Sequence, residues 1–300
     1  MKPMGPTPAE ARGRHTSPLA WLTIAALLLV PAGPRADDSA TDGIQLFERQ
    51  HYDEARRILK QTVAANAADP VGQYYLGRTY FMLCAYDQAI MHLERAVDLG
   101  KDEADYYFWL GRAYGEKAQR SGVLKQAGLA KKIRAAFEQA VALDARHAEA
   151  RTGLGNFYAQ APRFMGGGLD KATEQANALV ALDPFKSGLL SARILEEQKE
   201  PDRAEAIYKK LEERYGNSAS AFDLYGDYGK FLLRQGDIDR AIGKLEKQVA
   251  LKADSLSAHF NLAAAYKAAG RSQDATNEYA RAAKINPRCE PPKKQYRKKE

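Results

Sequence analysis

A six-residue string recurs along the chain, and its interval constrains the fold more than any other property of the sequence. Tyr75-Leu76-Gly77-Arg78-Thr79-Tyr80 returns 34 residues later as Trp109-Leu110-Gly111-Arg112-Ala113-Tyr114. It returns again, 44 residues on, as Gly153-Leu154-Gly155-Asn156-Phe157-Tyr158. Near the C-terminus, Asp239-Arg240-Ala241-Ile242 recurs after 34 residues as Gln273-Asp274-Ala275-Thr276. Behind each Leu-Gly-x-x-Tyr comes a second apolar stretch, such as Ala89-x3-Leu93-x2-Ala96 or Ala275-x3-Tyr279-x2-Ala282. Leu, Gly and Tyr at i, i+1 and i+4 stack on one helical face, and so do Ala, a large residue and Ala at i, i+4 and i+7. Two antiparallel helices approach closely only where Gly or Ala sits at the crossing, and each such pair must bury its open face against the next.

These residues resemble the tetratricopeptide repeat (TPR), whose W-x2-L-G-x2-Y, A-x3-F and terminal P are met in most units. The resemblance implies an all-α fold, a right-handed solenoid of about seven helix-turn-helix units over residues 37–287. The first unit keeps Gly43, Leu46, Ala55 and Leu59; the second has Leu76, Gly77, Tyr80, Ala89, Leu93 and Ala96. The third has Leu110, Gly111 and Tyr114, then ten extra residues before Phe137 and Ala140. The fourth has Leu154, Gly155 and Tyr158, then five extra residues before Ala172. The fifth keeps Ala192, Ala204 and Tyr208 but lacks Leu-Gly; the sixth has Tyr228, Gly229 and Ala241, and the seventh Leu262, Ala263, Tyr266 and Ala275.

The two insertions, 115–131 and 161–171, lengthen the third unit's helices or turn and open a glycine loop in the fourth. Gly166-Gly167-Gly168 admits two readings: a longer turn with Asp170 as N-cap, or backbone amides presented to an anion. It lacks the Lys-Ser/Thr and the preceding strand of a nucleotide loop.

The formal charge of +7 resides at the ends. Residues 1–36 carry +3, residues 288–300 carry +4, and residues 37–287 are neutral, which disfavours a broad nucleic-acid surface. Arg12, Arg14 and His15 precede the apolar run Leu19–Val30, with small residues to Ala36. This pattern reads as a secretory signal peptide, or as an anchor if it is not cleaved. The chain is therefore expected to be exported, most simply to the periplasm. Residues 288–300 read as a basic disordered tail, with weak contact to anionic surfaces as an alternative. Cys84, in an apolar helical context, reads as a small buried side chain, and Cys289, in the exposed tail, as a site open to an intermolecular disulfide.

No catalytic constellation, metal-ligand spacing or cofactor motif is present. The five histidines have no ligand-spaced partner, and Glu196-Glu197 and Glu212-Glu213 read as solvated helix faces. A non-enzymatic scaffold is expected. In the TPR family the first helix of each unit lines a concave wall, with the second, fifth, sixth, ninth, twelfth and thirteenth positions facing inward. Carried over, the resemblance implies a groove bearing Tyr74, Arg78, Phe108, Trp109, Arg112, Asn156, Arg193 and Lys230. A row of cations beside aromatic rings suits a protein or peptide with acidic groups or a free carboxylate, unless each cation is spent on a neighbouring carboxylate such as Glu116. The expected role is an adaptor in the bacterial cell envelope. The competing role is a small-ligand-binding component of an envelope transport or assembly system, which requires an enclosed apolar cavity rather than an open channel. Pro287 and Pro291 forbid a further capping helix, so the last helix needs a cover: a partner, a second copy of the chain, or the insertion.

Overall fold

The computed structural model describes residues 36–291. The signal-peptide reading of 1–36 falls, but for Ala36, outside these residues, as does the basic run beyond residue 291. Seven helix pairs follow one another. They are α1 (Ala36–Glu48) with α2 (Tyr52–Ala65), α3 (Pro70–Met82) with α4 (Tyr86–Leu99), and α5 (Ala104–Gln119) with α6 (Val123–Leu143). Then come α7 (Ala148–Gln160) with α8 (Leu169–Leu179), α9 (Pro184–Glu197) with α10 (Pro201–Tyr215), α11 (Ala221–Gln235) with α12 (Ile238–Leu251), and α13 (Leu256–Ala268) with α14 (Ser272–Ile285). No strand occurs among the described residues. Starts are set by side-chain caps: Asp69 accepts from the Val71 amide ahead of Pro70, Asp183 from Lys186 ahead of Pro184, and Asp237 from Arg240.

The glycines of the repeat explain how each pair closes. A Cβ on Gly43 would lie 2.7 Å from Leu59, one on Gly77 2.7 Å from Leu93, and one on Gly229 2.6 Å from Leu245, each partner sixteen residues ahead. In the third unit Gly111 faces the Phe137 ring at 2.8 Å, the same crossing displaced by the ten inserted residues. The insertion has gone into the helices: α5 runs for 16 residues and α6 for 21.

Packing between units adds a polar rung. Tyr158 donates to Glu138 at 2.7 Å and Tyr266 to Glu246 at 2.8 Å, from the first helix of one unit to the second helix of the unit before. Tyr114 meets Glu94 in the same way, and Tyr228 meets Glu205 at 3.2 Å. Each hydroxyl closes an otherwise apolar seam. Tyr158→Phe is expected to cost about 0.5–1.5 kcal/mol, read as a lower denaturation midpoint with unchanged helix content.

Units three and four are joined through His147, whose Nε2 lies 3.2 Å from Asp105 Oδ1. The hydrogen bond raises the His147 pKa above its ordinary 6.5 and holds the Asp105 carboxyl below its own. For His147 the stabilisation is full below 6.5 and fades as pH rises through the raised folded value; for Asp105 it is lost only as pH falls through the depressed one. The melting temperature of the wild type should therefore decline modestly as pH rises through neutrality, and that slope should flatten in His147→Gln.

The odd-numbered helices touch from unit to unit, α1 on α3, α3 on α5, α5 on α7, α7 on α9 and α11 on α13, whereas no two successive even-numbered helices pack comparably among the described residues. In a curved stack the layer whose members approach one another is the inner one, so the first helices form the concave wall.

The glycine insertion forms the longer turn of the first reading, but without Asp170 as its cap and without amides for an anion. Gly166 N–H donates to Arg163, Gly167 to Pro162 and Gly168 to Tyr158, so the three amides are consumed within the loop and none is presented to an anion. Asp170 is not the N-cap of α8; Gly168 is, and its carbonyl accepts from Ala172. Gly167 is required sterically, because a Cβ there would lie 1.7 Å from the Ala161 carbonyl oxygen.

The cysteines also differ from expectation. Cys84 and Cys289 are joined to each other across 205 residues, with Cα atoms 5.3 Å apart, and Cys289 is buried. Asn286, Cys289 and Glu290 lie against the turns of the first units, so the start of the tail covers Ala282 of the last helix together with Phe260 and Tyr279. The cover is supplied by the chain itself.

Candidate functional site

The concave wall carries its chemistry at units two and three. Trp109, on α5, meets two guanidinium groups: the Arg78 carbon lies 4.7 Å from its centroid and the Arg112 carbon 4.3 Å. Arg78 also lies over Phe47 at 4.4 Å and over Tyr74 and Tyr75 at 5.1 Å each. Arg112 lies over Phe81 at 4.8 Å and Phe108 at 5.7 Å. The rings brace one another, Phe47 against Tyr75 at 5.6 Å and Phe81 against Trp109 at 5.3 Å. Helical spacing accounts for the arrangement: Arg78 and Arg112 occupy the same repeat position, as do Tyr75 and Trp109, so each cation meets two rings of its own helix and at least one from a neighbouring helix.

Electrostatically the two arginines are unpaired. Among the described residues no carboxylate lies within ion-pair distance of either, and the buried Nε of Arg78 has no acceptor. Glu116, the expected neutralising partner, is taken by Arg120 at 2.5 Å. Burial holds the Arg112 pKa below its ordinary value despite the attraction of Glu116, and the like charge of Arg78 lowers it further. Ring faces supply part of the missing solvation, about 0.5–2 kcal/mol per contact, but no hydrogen-bond acceptor. What the arrangement can do chemically is accept an anion with bidentate geometry over an apolar floor.

The other expected groove residues behave differently. Lys230 is paired with Asp227 at 2.5 Å on its own helix. The half-buried Asp227 carboxyl is held below its ordinary pKa by the charges of Lys230, Arg193 and Arg234 against the opposing effect of burial. Glu196, read from the sequence as solvated, is buried and engaged by both the Nε and an Nη of Arg234, the latter at 2.8 Å; Glu212 accepts from Lys244 at 2.5 Å. Charge at units five and six is thus compensated internally, although the Nε of Arg193 is buried without an acceptor. Asn156 is half-buried on α7. Of the rings around the arginines only Tyr75 and Trp109 are partly exposed; Tyr74 and Phe108, expected in the groove, are buried, as are Phe47 and Phe81, which the sequence reading passed over. Phe47 and Phe81 stand 34 residues apart at the twelfth position of the repeat, which is a legible signal.

Two surface depressions, of about 580 Å³ beside Tyr107, Tyr114 and Lys132 and about 460 Å³ beside Tyr158, Arg163 and Asp170, are open to solvent. Among the described residues no group of three potential ligands could hold a metal ion, and no helix is long and apolar enough to cross a membrane.

Family models agree with the repeat. One tetratricopeptide repeat model matches residues 46–113 and 232–293, and a second matches residues 189–253. A thermophilic TPR protein of Thermus thermophilus superposes with a TM-score of 0.52 at 22% identity, covering 66% of this chain and 99% of its own. A tetratricopeptide repeat protein from Parabacteroides merdae superposes with a TM-score of 0.58 at 14% identity, covering 84% of this chain and 94% of its own. At these identities the likeness concerns the fold. No curated protein matches the sequence.

Proposed function

Because the chain belongs to the tetratricopeptide repeat family, a fold of protein-interaction scaffolds, we propose that it is an exported adaptor of the bacterial cell envelope. Its concave wall at units two and three holds an extended protein segment through a carboxylate. The observation that carries this reading is the pair of half-buried guanidiniums over the Trp109 ring, with no carboxylate among the described residues in ion-pair reach of them. A partner's side-chain or terminal carboxylate would supply the acceptor that both lack, and the partly exposed rings of Tyr75 and Trp109 would pack on its apolar neighbours. Export is supported by the basic and apolar pattern of the first 36 residues and by a disulfide, a bond that persists in oxidising compartments. The open depressions favour a peptide over an enclosed small ligand.

Trp109 is its own reporter. With Trp21, the other tryptophan, replaced by Phe, titration with a glutamate-rich decapeptide bearing a free C-terminus should change the indole emission saturably, and the more weakly at higher salt. A lysine-rich decapeptide should leave it unchanged. Emission indifferent to the acidic peptide at millimolar concentration removes the groove reading. N-terminal sequencing of the mature protein tests export separately.

A further inference from the structure

The junction between the two ends of the solenoid is thin. Arg288 reaches Asp53 at 3.0 Å, Asn286 donates to the Met82 carbonyl at 3.5 Å, and Arg120 donates to the Glu290 carbonyl at 3.2 Å. These acceptors and donors lie on the helix-to-helix turns of units one, two and three, so the six-residue segment after α14 runs along one edge of the first three units. The Arg288–Asp53 pair is half-exposed on both sides, and such pairs contribute little. No helix of the seventh unit packs broadly on a helix of units one to three. Beyond a small patch of Phe260, Tyr279, Ala282 and Leu256, the covalent bond is what holds the ends together.

Cys84 is placed for that bond at a backbone cost. It occupies the turn position that Gln50 fills in the first unit, Lys199 in the fifth, Gly236 in the sixth and Gly270 in the seventh, all with positive φ; at Cys84 φ is 58°. Glycine fits this left-handed conformation best, and a side chain there projects off the edge of the solenoid. A cysteine at this corner of unit two meets the tail where a glycine could not be linked.

We propose that Cys84–Cys289 is a redox-governed clasp that locks the seventh unit onto the first three and, when reduced, lets the solenoid open without unfolding its repeats. The reductant is a dithiol: one of its thiolates attacks the disulfide, its second thiol resolves the mixed disulfide, and Cys84 and Cys289 leave as two thiols while the dithiol becomes a disulfide. Two electrons and two protons pass to the clasp. The repeats survive because each is held by its immediate neighbours and not by the junction.

The test uses the full mature chain. Alkylation under native, non-reducing conditions should leave both cysteines unmodified and the protein monomeric; after dithiothreitol both are modified. Small-angle scattering should then show an upward shift in radius of gyration with unchanged far-UV circular dichroism. The Cys84→Ser/Cys289→Ser variant should scatter like the reduced protein and ignore the reductant. Identical scattering before and after reduction overturns the proposal. So does an intermolecular disulfide, and so does loss of helix on reduction, which would make the bond a staple and not a clasp. Thiol status and shape decide the matter, so a failure of the acidic-peptide reading leaves it standing.

Discussion

Replacing Arg78 and Arg112 together by Ala should weaken binding of a glutamate-rich peptide on the order of 100-fold, while Arg193→Ala weakens it by less than about 3-fold. A charge-assisted hydrogen bond contributes about 1.5–3 kcal/mol, so each single substitution at Arg78 or Arg112 is expected to cost about tenfold. The roughly 100-fold loss is the additive product of the two; because both sit against one indole, departure of the double variant from that product measures their coupling. Arg193 provides the contrast because it lies on α9, two units along the solenoid from Trp109. Arg112→Lys separates charge from geometry: it keeps the cation but loses the planar fork, and should fall between wild type and Ala. Each variant also loses its ring contacts, worth about 0.5–2 kcal/mol of stability, so thermal melts must accompany the titrations. Equal affinity in the double variant and the wild type would move recognition away from Trp109.

How far the sequence could be read follows the range of each interaction. The glycine crossings were legible because Gly77–Leu93 and Gly229–Leu245 lie within one unit, sixteen residues apart, and the sequence repeats them. The cations on the inner wall were legible as positions, since Arg78 and Arg112 share a register. Their state of charge pairing was not, because Glu196 meets Arg234 from 38 residues away, across a unit boundary, while Glu116 turns to Arg120 on its own helix. The fate of the glycine amides depended on an insertion that no repeat specifies. Least legible was the Cys84–Cys289 link, which requires the small rotation of each unit to accumulate until the last returns to the second. A spacing of 205 residues carries no trace of it.

The same locality governs how the molecule should come apart. Phe137 closes two crossings at once: a Cβ on Gly111 or on Gly153 would each lie 2.8 Å from its ring, so one side chain wedges α5 and α7 against α6. It is buried at 6% exposure among Phe108, Leu154 and Ala150. Glycine at both crossings leaves no side chain there to take up the lost volume, so Phe137→Ala opens a cavity between α5, α6 and α7, costing about 3–5 kcal/mol. In a stack whose units hold only their neighbours, weakening one boundary separates the halves. Chemical denaturation of the variant, followed by circular dichroism under reducing conditions, should therefore show two transitions, one for units one to three and one for units four to seven, where the wild type shows one. Without reductant the clasp tethers those halves and should draw the transitions together. A single transition under both conditions, displaced by less than about 1 kcal/mol, would mean that the boundary is carried by the polar rung of Tyr158 and Glu138 rather than by the wedge.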